Sequence, residues 1–155
     1  MPSEAGCVCA FGLRSEVANP SIEDSSVSAF EHPPESSPVI RTIAMPGDTN
    51  PAGDIFGGWL MAHMDLAAGN VATRRARGRA ATVAVEAMAF HRPVLVGDEV
   101  SFYGTIVGTG RTSVKILIEA WRRPRETDAM EKVTSAVFTF VAIGEDRKSR
   151  ALPEG

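Results

Sequence analysis

One stretch of this chain turns with the period of a helix, and everything after it alternates with the period of a strand. That switch limits the folds open to it. From Gly57, apolar residues recur at Trp59, Leu60, Met61, Met64, Ala67, Ala68 and Val71; the run becomes basic at Arg74, Arg75 and Arg77, and Gly78 stops it. Ahead of it, residues 39–45 form a short apolar run closed by Pro46 and Gly47, and a loop rich in Gly, Pro, Asp and Asn leads to Phe56. Behind it, residues 82–90, 99–107, 113–121 and 133–143 are rich in β-branched and aromatic side chains and are separated by turn-forming residues. The expected order is strand, helix, four strands. One helix and one meandering antiparallel sheet can bury their apolar faces only against each other, which predicts an α+β domain with a long central helix wrapped by the sheet.

A chain of 155 residues is about one domain's worth. Residues 1–38 combine Ser pairs, Pro33-Pro34 and scattered acids with Arg14 as their only Lys or Arg, too little apolar surface to offset chain entropy, so they are expected to be a disordered tail ahead of a domain at 39–155. The short apolar run at 7–13 has no positive charge before it and is not expected to be a signal peptide. Both cysteines, Cys7 and Cys9, lie in this tail, a spacing that makes neither a usual disulfide nor a metal site. These features point to a reducing, cytoplasmic setting and no metal. A net charge of -3 gives no reason to invoke nucleic acid or an anionic membrane, and no apolar run approaches the ~20 residues of a spanning helix.

The stretch G-D-I-F-G-G-W-L-M-A-H-M-D, residues 53–65, carries the candidate chemistry. Ala62, Met61, Ala68 and Gly69 occupy the positions three and four residues from Asp65, so its helical stripe is apolar or small and supplies no base. An unpaired carboxylate buried there costs on the order of several kcal/mol, which favours a functional role. Gly57 and Gly58 let the helix N-terminus, with its unpaired amides, come close to a ligand oxygen, an oxyanion-hole arrangement; equally, they let the helix start beneath the sheet. Asp65 lies eight residues beyond Gly57, roughly 12 Å along the axis. If both groups serve one carbonyl, they come from two subunits across a two-fold interface.

Asn50 is either a group that orients the substrate or water, or a turn residue after Thr49. Asp54, a second carboxylate in the same motif, suits a helix N-cap or a partner for the helix dipole. His63 points to a different face from Asp65, with an exposed or interface role expected, and His91, with Arg92, to an interface or a ligand rim. G-x-S-x-G is absent, which removes a Ser-His-Asp reading.

The blocks M-P-G-D-T-N at 45–50, G-D-I-F-G-G-W at 53–59, M-D at 64–65, T-V-A-V-E at 82–86, V-G-D at 96–98, G-R-T-S at 110–113 and A-V-F-T-F-V-A at 136–142 closely resemble the YciA-type acyl-CoA thioesterases of the hotdog superfamily. The resemblance implies a hotdog fold, a homodimer as minimal active unit assembled as a trimer of dimers, and hydrolysis of acyl-CoA to free CoA and a carboxylic acid without a further cofactor. Asp65 would act as general base or as nucleophile through a mixed anhydride, with the Gly57 or Gly58 amide polarising the carbonyl. Coenzyme A needs a phosphate site, for which the turn Gly110-Arg111-Thr112-Ser113 offers a cation, hydroxyls and amides, although an ordinary hairpin turn looks the same. In similar proteins the strand of Val83, Ala84 and Val85 lines the pantetheine tunnel. Arg92 and Arg147 are further candidates for the phosphates, with solvated charge as the alternative. Met61, Met64, Met88 and Phe90 are either tunnel lining or plain core. The runner-up readings are a non-catalytic acyl-CoA-binding hotdog protein and a hotdog dehydratase, although no D-x-x-x-x-H spacing follows Asp54 or Asp65.

Overall fold

The computed structural model describes residues 31–155. Most of the expected tail therefore lies outside the described residues, with Cys7, Cys9 and the apolar run at 7–13; residues 31–38 carry neither helix nor strand. The elements are β1 (Ile40–Ile43), a 3-10 turn (Pro46–Asp48), α1 (Gly57–Ala76), β2 (Ala80–Val85), β3 (Glu99–Thr109), β4 (Ser113–Arg123) and β5 (Glu131–Ala142). Among the described residues no helix is long and apolar enough to cross a membrane.

All five strands pair antiparallel in one sheet of order β1-β3-β4-β5-β2. The expected meander holds for β3, β4 and β5 only. β1 occupies the outer edge of β3 through Ile40 opposite Phe102, so β2 pairs with β5 at the opposite edge, Thr82 opposite Phe140. The strand expected at 82–90 begins at Ala80 and stops at Val85. Beyond it, only the Glu86 amide to the Val137 carbonyl and the His91 amide to the Val133 carbonyl continue the pairing. That is five steps along one strand against four along the other, and the surplus residue breaks the ladder.

The helix buries Leu60, Met64, Ala67, Ala68 and Ala72 against Val100, Phe102, Ile116, Ile118, Ala136, Phe138 and Phe140 of the sheet. Three alanines on that stripe let the helix lie close, and fully burying Met64 contributes roughly 1.5–3 kcal/mol. Gly104 marks the tightest approach: a methyl group there would meet Val71 Cγ2 at 3.0 Å and Ile118 Cδ1 at 3.1 Å. The helix ends at Arg77, which is left-handed at φ 47°, and the Arg150 guanidinium donates to the Ala76 carbonyl at 2.7 Å. Met64 is core and Met88 packs partly against it, whereas Met61 and Phe90 are exposed.

At the far end of the sheet Arg123 donates to both oxygens of Glu99, Nε at 3.3 Å and Nη2 at 3.2 Å. That hydrogen bonding, with smaller help from the charges of Arg123 and Arg41 and against the effect of burial, holds the Glu99 carboxyl below its ordinary range. A depressed carboxylate stabilises the fold above its ordinary value and loses that contribution as pH falls through its folded value. Glu99→Gln is therefore expected to lower Tm modestly at pH 7, with the gap to wild type closing below about pH 4 in thermal melts across pH.

Candidate active site

The start of α1 is open. Its N-cap is Phe56, with no side-chain cap, and Trp59 and Leu60 donate back to the Phe56 carbonyl at 3.0 and 3.4 Å. The Gly57 and Gly58 amides donate to no group among the described residues. Asp54, expected as the N-cap, is exposed and sits two residues too early; its own amide donates to Asn50. Both backbone groups of Asp54 are thereby held in the loop before the helix, since its carbonyl accepts from the Asn50 amide at 2.7 Å.

Asn50 does what a turn residue does. Its Oδ1 accepts from the Ala52 and Asp54 amides at 2.9 and 3.1 Å, closing the loop that leads into α1 and leaving Nδ2 as its available donor. The two glycines differ. A methyl group on Gly57 would lie 3.4 Å from the Phe90 ring, while one on Gly58 meets nothing within 4 Å. Within the chain there is therefore room for a side chain at Gly58, while Gly57 lies in close contact with Phe90.

Asp65 is half-buried, not enclosed as its stripe suggested. The stripe is apolar, but Met61 and Ala62 above it are themselves exposed, so it opens at the rim of the helix. Thr82 Oγ1 donates to Asp65 Oδ1 at 2.6 Å, a charge-assisted bond that fixes one carboxylate oxygen and leaves Oδ2 available. This partner had no local signal, because it depends on β2 running beside the helix. Val83, Ala84 and Val85 follow it, exposed on the outer edge of the sheet, and Met61, Leu66 and Phe90 are exposed apolar side chains too.

The 110–113 turn closes the β3–β4 hairpin, Gly110 donating to the Ser113 carbonyl at 2.8 Å. Its Arg111 and Thr112 carbonyls accept from the Leu152 and Ala142 amides, so the backbone does ordinary turn work, while the Arg111 side chain is exposed and has no partner among the described residues. Ser113 and Ala81 both register with Val141. Two strand spacings, about 10 Å, thus separate the turn from the start of β2.

The other candidates sit elsewhere. The His63 ring is half-buried and not exposed: its Nδ1 lies 2.9 Å from the Trp59 carbonyl and the ring packs on Trp59 and Phe102. Arg92 donates to the Lys132 carbonyl at 3.3 Å and, with His91, Lys132 and Ser135, rims a cavity of about 330 Å³. Arg147 is exposed in a turn at φ 62°. A cavity of about 450 Å³ between Met45, Val96 and Arg123 contains none of these groups.

Residues 52–129 match the thioesterase superfamily. The chain is 52% identical over 120 residues, 77% of its length and 80% of the relative's, to an uncharacterized acyl-CoA thioester hydrolase of Zymomonas mobilis. It is 46% identical over 130 residues, 82% of its length and 98% of the relative's, to the acyl-CoA thioester hydrolase YciA of Escherichia coli. Its fold is similar to that of a hexameric hotdog fold thioesterase of Campylobacter jejuni, with a TM-score of 0.72 and 34% identity over 76% of this chain and 91% of that one. With a long helix laid against a five-stranded antiparallel sheet in its described residues, the chain belongs to the hotdog-fold thioesterase superfamily and, within it, to the YciA-type acyl-CoA thioester hydrolases.

Proposed function

We propose that this chain hydrolyses acyl-CoA thioesters in a site shared by two subunits. The observation that carries the mechanism is the uncapped start of α1, where two free amides and the positive end of a 20-residue helix face outward. A thioester carbonyl placed there accepts from Gly57 or Gly58, and the same donors stabilise the oxyanion as water adds to the carbonyl carbon. Asp65 Oδ2 takes the proton of that water, the C–S bond breaks, and the proton passes to the departing CoA thiolate. Along one helix the amides and the carboxylate are roughly 12 Å apart, so the acid facing a given helix start is Asp65 of the partner subunit. The exposed edge strand of Val83 and Val85 is the surface that brings the two copies together, with larger assembly of the hexameric kind seen in its relatives. Val83 to Val85 then line the pantetheine arm, and the domain doing this work is residues 39–155.

Arg111 holds a CoA phosphate in this reading. The direct test is release of free thiol from a panel of short to long acyl-CoAs by the purified chain; no thiol release from any of them removes the activity. Arg111→Ala is expected to raise KM about 10- to 100-fold with kcat nearly unchanged, because a charge-assisted contact of roughly 1.5–3 kcal/mol is the same in ground and transition states. A truncated thioester lacking the nucleotide is the control and should not respond to the mutation. Equal losses on both substrates would mean that the turn shapes the site and does not read the phosphate.

A further inference from the structure

We infer that Arg122, remote from the reacting atoms, is a positioning residue that sets the helix-start amides through the 90–98 loop. The inference rests on the role given above to Gly57 and Gly58. Arg122 is largely buried, with a side chain 15% exposed, and one guanidinium gathers three groups. Nε and Nη2 hold Glu131 Oε2 at 2.8 and 2.7 Å, while Nη1 donates to the Pro93 carbonyl at 2.7 Å and to Asp98 Oδ2 at 3.3 Å. Asp98 is itself buried and accepts the Leu95 amide on the same oxygen at 3.0 Å. Both ends of the segment from Pro93 to Asp98 are therefore fastened to one side chain of β4.

What that segment holds is the approach to α1. Val94, buried between the two fastenings, accepts the Ile55 amide at 3.0 Å, two residues before Gly57. At the other end of the loop the Phe90 ring lies where a Gly57 side chain would touch it, and the Ala89 carbonyl and His91 amide are tied to Thr134 and Val133 of β5. Gly57 is thus set from two sides by a loop whose middle has Arg122 as its charged anchor. An oxyanion donor is sensitive to such support, because a displacement of about 1 Å costs on the order of 10²-fold in rate. The planar fork of an arginine reaches Glu131, Pro93 and Asp98 together, which the single ammonium of a lysine does not.

The test is Arg122→Lys in the full-length oligomer, read by steady-state kinetics, thermal melting and amide hydrogen exchange in a peptide containing Ile55. The expected result is a fall in kcat of about tenfold or more with KM within about twofold, together with faster exchange at Ile55. Glu99→Gln, which loosens the neighbouring Arg123 pair without touching the loop, is the control and should change neither kcat nor that exchange. Glu131→Gln keeps the guanidinium and both loop contacts but weakens its anchorage; it is expected to act in the same direction with smaller size, and it replaces Arg122→Lys if that protein does not fold. Unchanged exchange at Ile55, unchanged kcat in a folded protein, or a kcat loss equal to that of Glu99→Gln would each overturn the inference. The amides themselves are judged separately by a substitution at Gly58, which leaves Arg122 and the loop in place.

Discussion

Asp65→Asn is expected to lower kcat by about 10²- to 10⁴-fold, the range typical of losing a positioned general base. The fold should survive it. An asparagine is nearly isosteric, its Oδ1 still accepts from Thr82 Oγ1, and a half-buried site loses a charge that no cation of the described residues balances. Tm is therefore expected to hold or rise, and CoA binding to persist. If Asp65 were only a structural residue of α1, the same substitution would leave turnover intact. Near wild-type kcat in a well-folded Asp65→Asn protein would thus remove the residue from the mechanism.

Gly58→Val should be comparably damaging to turnover, for the opposite reason. The chain has open space beyond Gly58, so the substitution adds no clash within the subunit, and glycine is a poor helix former that most residues improve upon. Stability is expected to be unchanged, while a side chain at the mouth of the amides blocks the carbonyl and costs about 10² in kcat or more. Mixing this variant with Asp65→Asn then tests the shared site. Random heterodimers assemble one site from an intact helix start and an intact acid and a second site lacking both, so about a quarter of the wild-type sites are restored. Heterodimers that form and remain inactive would place the amides and the carboxylate in separate roles.

The sequence carried α1 almost to the residue, because a 3.6 period over twenty positions, a basic end and a following glycine are local signals that no tertiary contact needs to supply. It also carried the number of strands among the described residues, but not the openness of the helix start, because two glycines suit an exposed amide and a helix seated beneath the sheet equally well. It did not carry the edge at which β2 pairs. Alternation fixes which face a strand presents and is silent on its neighbour, and β2 went to β5 because β1 had taken β3. For the same reason the segment 86–91 kept a strand-like pattern while losing its ladder to one surplus residue.

The site divides along the same line. That an acid, two glycines and a basic turn serve one site is an expectation drawn from residue types together with the family resemblance, and if Asp65 and Gly57 serve one carbonyl their axial separation requires two subunits. Only the tertiary structure decided that Asp65 is half-open and bonded to Thr82, that Asn50 spends its carbonyl oxygen on its own loop, that Asp54 caps nothing and that His63 packs on aromatic rings. Arg122 was invisible for the same cause: its partners Pro93, Asp98 and Glu131 lie 9 to 29 residues away along the chain. Periodicity and capping act within a turn or two of the backbone, whereas a side chain's burial and hydrogen-bond partners are set by segments that meet only when the sheet closes around the helix.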